Sequence, residues 1–178
     1  MAPPPSGSLS ESDSSQAAIT IRRATVKDLQ AIVKIWLNAV QVAQGLAPPP
    51  LQDVLNMFTN RLESQSNEYG FWVAEVNGAI GGWQGQQPCR PNPIMKWAEV
   101  TTYVSREHTG LGIATALLQS ATERARSTTL THLVGFIGRG NAAMTNFLES
   151  CGWQKVGVIP RARPNDPEFV YYVYVVPR

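Results

Sequence analysis

Small residues crowd one short stretch of this chain, Val104-Ser105-Arg106-Glu107-His108-Thr109-Gly110-Leu111-Gly112-Ile113-Ala114-Thr115-Ala116-Leu117-Leu118. An apolar, β-branched run from Val100 to Val104 ends, a loop follows, and a helical pattern begins at once. Gly110, Gly112 and Ala114 carry almost no side chain, so backbone N–H groups of the loop and of the first helical turn can approach a bulky anion. Those groups lack intrahelical partners and lie at the positive end of the helix dipole. The chemistry they offer is a phosphate cradle. A plain helix start has the same composition, so the turn by itself leaves both readings open. No Lys-Ser/Thr follows the glycines, which excludes a P-loop, and the Gly-x-Gly-x-x-Gly spacing of a dinucleotide fold is absent.

Three further residues could do chemistry. Glu99 stands among Trp97, Ala98 and Val100, where an ionised carboxylate is costly to desolvate and a proton acceptor is favoured. The alternation also allows a plain, exposed Glu on an edge strand. Asn141 follows the Gly138-Arg139-Gly140 turn and opens a helical pattern, the position of an N-cap. Arg90 lies in the loop Gln87-Pro88-Cys89-Arg90-Pro91-Asn92-Pro93; it reads either as an exposed loop residue or as a bidentate clamp for a carboxylate. Cys89 and Cys151 have no neighbouring His to act as a base, and two cysteines make no disulfide framework. No ligand cluster for a metal stands out.

The Gly-rich stretch resembles the acetyl-CoA signature of the GNAT superfamily of N-acetyltransferases, Gln/Arg-x-x-Gly-x-Gly/Ala. Gly112 and Ala114 match its two small positions, and Thr109 stands where Gln or Arg is usual. Upstream, Trp97 to Ser105 is similar to a strand of the phosphinothricin acetyltransferase branch, Glu included. Downstream, Asn141-Ala142-Ala143-Met144 through Phe147-Leu148-Glu149-Ser150-Cys151-Gly152-Trp153 resembles the family's Asn-x-x-Ala…Tyr-Glu-x-x-Gly-Phe helix. The resemblance covers roughly Ile19 to Arg178.

It implies a GNAT fold, a mixed α/β sheet with a splayed central strand pair and helices on both faces, with acetyl-CoA as co-substrate. In the family, the strand before the phosphate loop bulges and splays from its neighbour, and the pantetheine arm pairs with the backbone thus freed. By position that strand is Thr102-Tyr103-Val104, and its neighbour starts at His132. The implied cofactor contacts are Thr102, Tyr103, Val104, Thr109, Gly110, Leu111, Gly112, Ile113, Ala114, Thr115 and Asn141. Glu99 is the implied general base and Arg90 the implied substrate clamp. Leu148 departs from the family, which places a Tyr or His there to protonate the leaving thiolate. Tyr103 is the candidate substitute, on a side that the pattern leaves open. The activity implied is N-acetylation of a small, amino-acid-like amine. Acetylation of a peptide amine and a non-catalytic CoA sensor are the alternatives.

The elements needed to position these groups are legible in order. Ile19-Thr20-Ile21-Arg22 alternates as a strand. Thr25 and Asp28 signal a helix start ahead of the stripe Leu29, Ile32, Val33, Ile35, Trp36 and Val40. After Pro48-Pro49-Pro50 the spacing predicts a helix over Leu51 to Leu62. Phe71 to Val76 and Ala79 to Gln84 form a hairpin about Asn77-Gly78. Then come the strand ending at Val104, a helix to Arg126, a strand from His132 to Ile137, a helix from Asn141 to Ser150, and a hairpin of Gln154–Ile159 and Val170–Val176. Trp36, Trp83 and Trp153 read as core.

The 178 residues suffice for one domain, expected over 19–178, and would bury about 70% of the unfolded surface. A net charge of +2 with no long basic block argues against nucleic acid as the main partner. Residues 1–18 are Pro- and Ser-rich, carry Glu11 and Asp13 without Arg or Lys, and read as a flexible tail rather than a targeting peptide. No run reaches the roughly 20 apolar residues of a membrane span. The expected location is cytoplasmic, and a homodimer is allowed.

Overall fold

The computed structural model describes residues 18–44, 49–89, 96–161, 164 and 168–178, with backbone alone for 41–44. The expected tail therefore lies, apart from Ala18, outside the described residues. So do Arg90 and residues 45–48 after the first helix.

Seven strands form one sheet in the order β1-β2-β3-β4-β5-β7-β6. They are β1 (Ile19–Arg23), β2 (Gly70–Val76), β3 (Ala79–Pro88), β4 (Trp97–Val104), β5 (His132–Gly138), β6 (Gln154–Ile159) and β7 (Phe169–Val175). Only β4 and β5 pair in parallel; the other neighbours are antiparallel. Among the described residues four α-helices cover it: α1 (Leu29–Gln44), α2 (Leu51–Glu63), α3 (Ile113–Arg126) and α4 (Ala142–Ser150). The order β-α-α-β-β-β-α-β-α-β-β is the one expected from the sequence. Among the described residues no helix is long and apolar enough to cross a membrane.

Local chemistry explains the boundaries. Asn77 and Gly78 both have positive φ, 51° and 80°, which is what a two-residue turn needs to match the twist of β2 and β3. Asp28 accepts from the Thr25 N–H at 2.8 Å and caps a single 3-10 turn, Val26–Asp28, from which α1 grows. The apolar stripe of α1 packs with α2 on Phe71, Val73 and Trp83, a buried cluster on one face of the sheet. On the other face α3 and α4 cover two clusters. One holds Trp72, Ile113 and Leu117; the other holds Ala98, Val100, Leu133, Leu148 and Tyr172. Helices thus lie on both faces, and among the described residues the main contacts of α1 and α2 with the sheet are to β2, β3 and β4.

Candidate active site

The site begins where a ladder stops. β4 and β5 pair only at Trp97–His132, Ala98–Leu133 and Glu99–Val134. Beyond Glu99, β4 continues to Val104 paired with β3 alone, and β5 continues to Gly138 paired with β7 alone. The splay expected from the sequence is present. The accompanying bulge is not seen in the β3–β4 pairing, whose register runs unbroken from Gly82–Val104 to Pro88–Ala98. A cavity of about 380 Å³ opens in the gap, lined from β4 by Glu99, Val100, Thr101, Thr102 and Tyr103 and from β5 by Gly135, Phe136, Ile137 and Gly138. Ala114 and Leu118 of α3, Asn141, Met144 and Leu148 of α4, and Trp153, Phe169 and Tyr172 complete it. A Cβ on Gly135 would sit in ordinary contact, 3.7 Å, with both the Val100 carbonyl and the Trp153 ring. Both strand edges face the gap without a strand partner, and an extended ligand carrying amides can supply the missing pairs.

The Gly-rich turn leads into this cavity through Ala114. Gly110 and Gly112 have φ of +84° and +82°, and nothing lies within 4 Å of where their side chains would project. Gly112 is the N-cap of α3 and offers no side-chain cap, so the first-turn N–H groups are left to water or an anion. The Ile113 side chain is core and Val104 packs against it, so only their backbones can serve a ligand. Leu111 is exposed and Thr115 half-buried. Thr109 donates its hydroxyl hydrogen to the Ser105 carbonyl at 3.3 Å and so stays within its own loop. Ser105 Oγ lies 2.7 Å from His108 Nδ1, and its N–H donates to the Gly81 carbonyl at 2.8 Å.

Thr102 is held by a relay that the sequence did not suggest. Arg124 donates from Nη2 to Gln84 Oε1 at 3.1 Å, and Gln84 Nε2 donates to Thr102 Oγ1 at 3.1 Å. A guanidinium can only donate, so the amide orientation is fixed and the Thr102 oxygen must accept. Its own hydrogen remains for an acceptor in the cavity. Burial, with Arg23 nearby, pushes Arg124 down to about 10. Its charge sits 3.7 Å from the ring centre of Trp72, and its Nε is buried without a partner. Asn141 caps α4 as its composition suggests, accepting from the Met144 N–H at 3.1 Å through Oδ1. That leaves Nδ2 to donate.

Glu99 is half-buried and lines the cavity on the α1 face, with Thr101 and Tyr103. Among the described residues no cation pairs with it. The Tyr103 ring lies tilted against Trp83, centroids 4.8 Å apart, and burial is the main cause that raises its hydroxyl above the usual range. Leu148, 1% exposed, closes the cavity from the opposite face. Tyr103 therefore does not fill the place that Leu148 leaves. Tyr172 lies on Leu148's face but donates to Glu149 Oε1 at 3.4 Å. Burial and the Glu99 charge raise the Cys89 thiol, the wrong direction for a nucleophile. Arg139 and Arg161 both donate to Glu168, at 2.7 and 3.4 Å. Among the described residues no group of three or more His, Cys, Asp or Glu could hold a metal.

Residues 18–154 match the family model of an acetyltransferase (GNAT) domain. The chain is 26% identical over 148 residues to phosphinothricin N-acetyltransferase of Streptomyces viridochromogenes, covering 81% of this chain and 79% of that protein. It is 29% identical over 147 residues to the L-methionine sulfoximine/L-methionine sulfone acetyltransferase of Pseudomonas aeruginosa, covering 80% and 84%. In fold it matches the phosphinothricin acetyltransferase of Sinorhizobium meliloti, solved in complex with acetyl-CoA, with a TM-score of 0.74 at 22% identity over 89% of this chain and 88% of that one.

Proposed function

Because this chain belongs to the GNAT family of acetyl-CoA-dependent N-acetyltransferases, we propose that it acetylates the primary amine of a small, amino-acid-like acceptor by direct attack in a ternary complex. One observation carries the reading: the gap between β4 and β5 closes at a half-buried carboxylate with no cationic partner among the described residues, Glu99. The Thr109 N–H is taken by the Arg106 carbonyl, and the amides of Gly110 to Thr115 suit a diphosphate. The unpaired edges at Thr102, Tyr103 and Val104 suit the amides of a pantetheine arm, with Thr102 and Asn141 each offering a donor. Bound acetyl-CoA supplies the thioester. Glu99 accepts the ammonium proton, directly or through one water, so that a neutral amine faces the acyl carbon. A thiolate leaves readily near neutral pH, so Leu148 is compatible with turnover assisted only by solvent.

Two relatives are named for phosphinothricin and for methionine sulfoximine, and an acceptor of that size and charge type is inferred here, with Arg90 holding its carboxylate. A single catalytic domain over 19–178, cytoplasmic and able to pair as a homodimer, is part of the same reading. Thiol release from acetyl-CoA across an amine panel tests it. Glu99→Gln is expected to lower kcat by ~10²-fold while the calorimetric Kd for acetyl-CoA holds. Full activity in that variant would place the base elsewhere. Equal kcat/KM for α-amino acids and their decarboxylated amines would remove the carboxylate clamp.

A further inference from the structure

The acceptor side of the cavity has a character that the family match does not assign. Register places Glu99 beside Val134, and Phe136 lies two residues further along β5 on the same face. Phe136 is 42% exposed although β5 is an inner strand of the sheet. Its ring stacks on Tyr171 of β7 at 5.1 Å with 20° between the planes. Phe169, paired with Gly138 and 36% exposed, extends the same surface. Val134 beside Glu99 is buried, but Phe136 and Phe169 further along the same face keep their exposure and line the cavity. Arg139 and Arg161, in the segments that follow β5 and precede β7, are both engaged by Glu168.

Water-facing aromatic rings in the wall of a cavity cost free energy that an apolar ligand recovers, and a stacked pair presents a flat edge to which another ring can add. We infer that the acceptor is an amine carrying an aromatic group, its ammonium at Glu99 and its ring against Phe136 and Phe169 of the cavity wall, with Tyr171 stacked on Phe136. This rests on the acetyltransferase reading above and narrows it from size and charge to side-chain type. Met144, Leu148 and Trp153 on the opposite face leave that half of the cavity to the acyl donor.

The test compares acceptors that differ only in the aryl group: L-phenylalanine with L-alanine, and 2-phenylethylamine with ethylamine, each assayed by thiol release from acetyl-CoA. The aryl member is expected to lead by at least about tenfold in kcat/KM. Phe136→Ala should bring that ratio close to one, and Phe136→Tyr should keep it. Competitive inhibition by 2-phenylethanol against the acceptor, lost in Phe136→Ala, gives a readout of binding alone. Unfolding midpoints of both variants report whether the fold is intact. Acetylation of all four amines without aryl preference, or a preference unchanged by Phe136→Ala, overturns this inference and leaves the acetyltransferase reading standing. Acetylation of none of them, with acetyl-CoA still bound, overturns the small-amine reading and this inference with it.

Discussion

Gly112 holds a left-handed backbone at the N-cap of α3 and leaves open space where a side chain would project. Two effects therefore meet at this residue, backbone strain and obstruction of an approaching anion, and they can be separated. Valine would add both, because β-branched residues rarely adopt positive φ. Asparagine tolerates that conformation and adds bulk alone. Gly112→Asn is expected to change the unfolding midpoint little and to weaken acetyl-CoA binding by roughly 2 kcal/mol, the scale of lost charge-assisted hydrogen bonds. Calorimetry checks it, and unchanged affinity would move the diphosphate away from this turn. The residue types here were readable from the sequence because a strand, a glycine turn and a helix are contiguous. Phe136 was not readable as a site residue, since its neighbours Glu99 and Tyr171 lie 37 and 35 positions away in the chain.

Between elements, the relay Arg124–Gln84–Thr102 ties the C-terminal half of α3 to β3 and β4. Gln84 is fully buried, so losing one of its partners leaves a desolvated polar atom unsatisfied. Arg124→Met is expected to destabilise the protein by about 1–3 kcal/mol. It should also raise KM for acetyl-CoA, because the amide of Gln84 can then turn and draw the Thr102 hydrogen inward. Combining it with Thr102→Val should add little to the KM effect. Denaturant midpoints and the double-mutant cycle measure both parts. Additive KM effects would reduce the relay to a packing feature. Strand and helix positions were legible from alternation and from the apolar stripe of α1. This cross-link was not, because helix α3 reads as amphipathic whatever sits opposite Arg124.

At the scale of the molecule, carboxylates join segments distant in sequence. Asp28 accepts from both Nη1 and Nη2 of Arg22, at 2.7 and 2.8 Å, while Arg22 also reaches Glu75. The Arg22 guanidinium, with the Thr25 N–H, holds the Asp28 carboxyl below its usual range. Glu68, bonded to Thr129, and Glu168, bonded to Arg139, are lowered in the same direction. A carboxyl lowered in the folded state takes up protons more readily when unfolded. Its contribution is present above the unfolded value, near pH 4, and is lost as pH falls through the folded value. Melting temperature is therefore expected to fall from about pH 4 downward, and Asp28→Asn should start lower at pH 7 and lose less in acid. Parallel pH profiles for both proteins would refute a role for this pair. By itself the sequence determined the order and type of the elements, the turn at Asn77-Gly78, the cap at Asn141 and the glycine turn that opens α3, because each depends on residues within a few positions of one another. Only the tertiary structure decided that β7 inserts between β5 and β6, that β4 and β5 part after Glu99, and that Tyr103 and Leu148 lie on opposite faces. Those outcomes depend on non-local strand pairing and on which face each helix covers, and neither has a short-range signal in the chain.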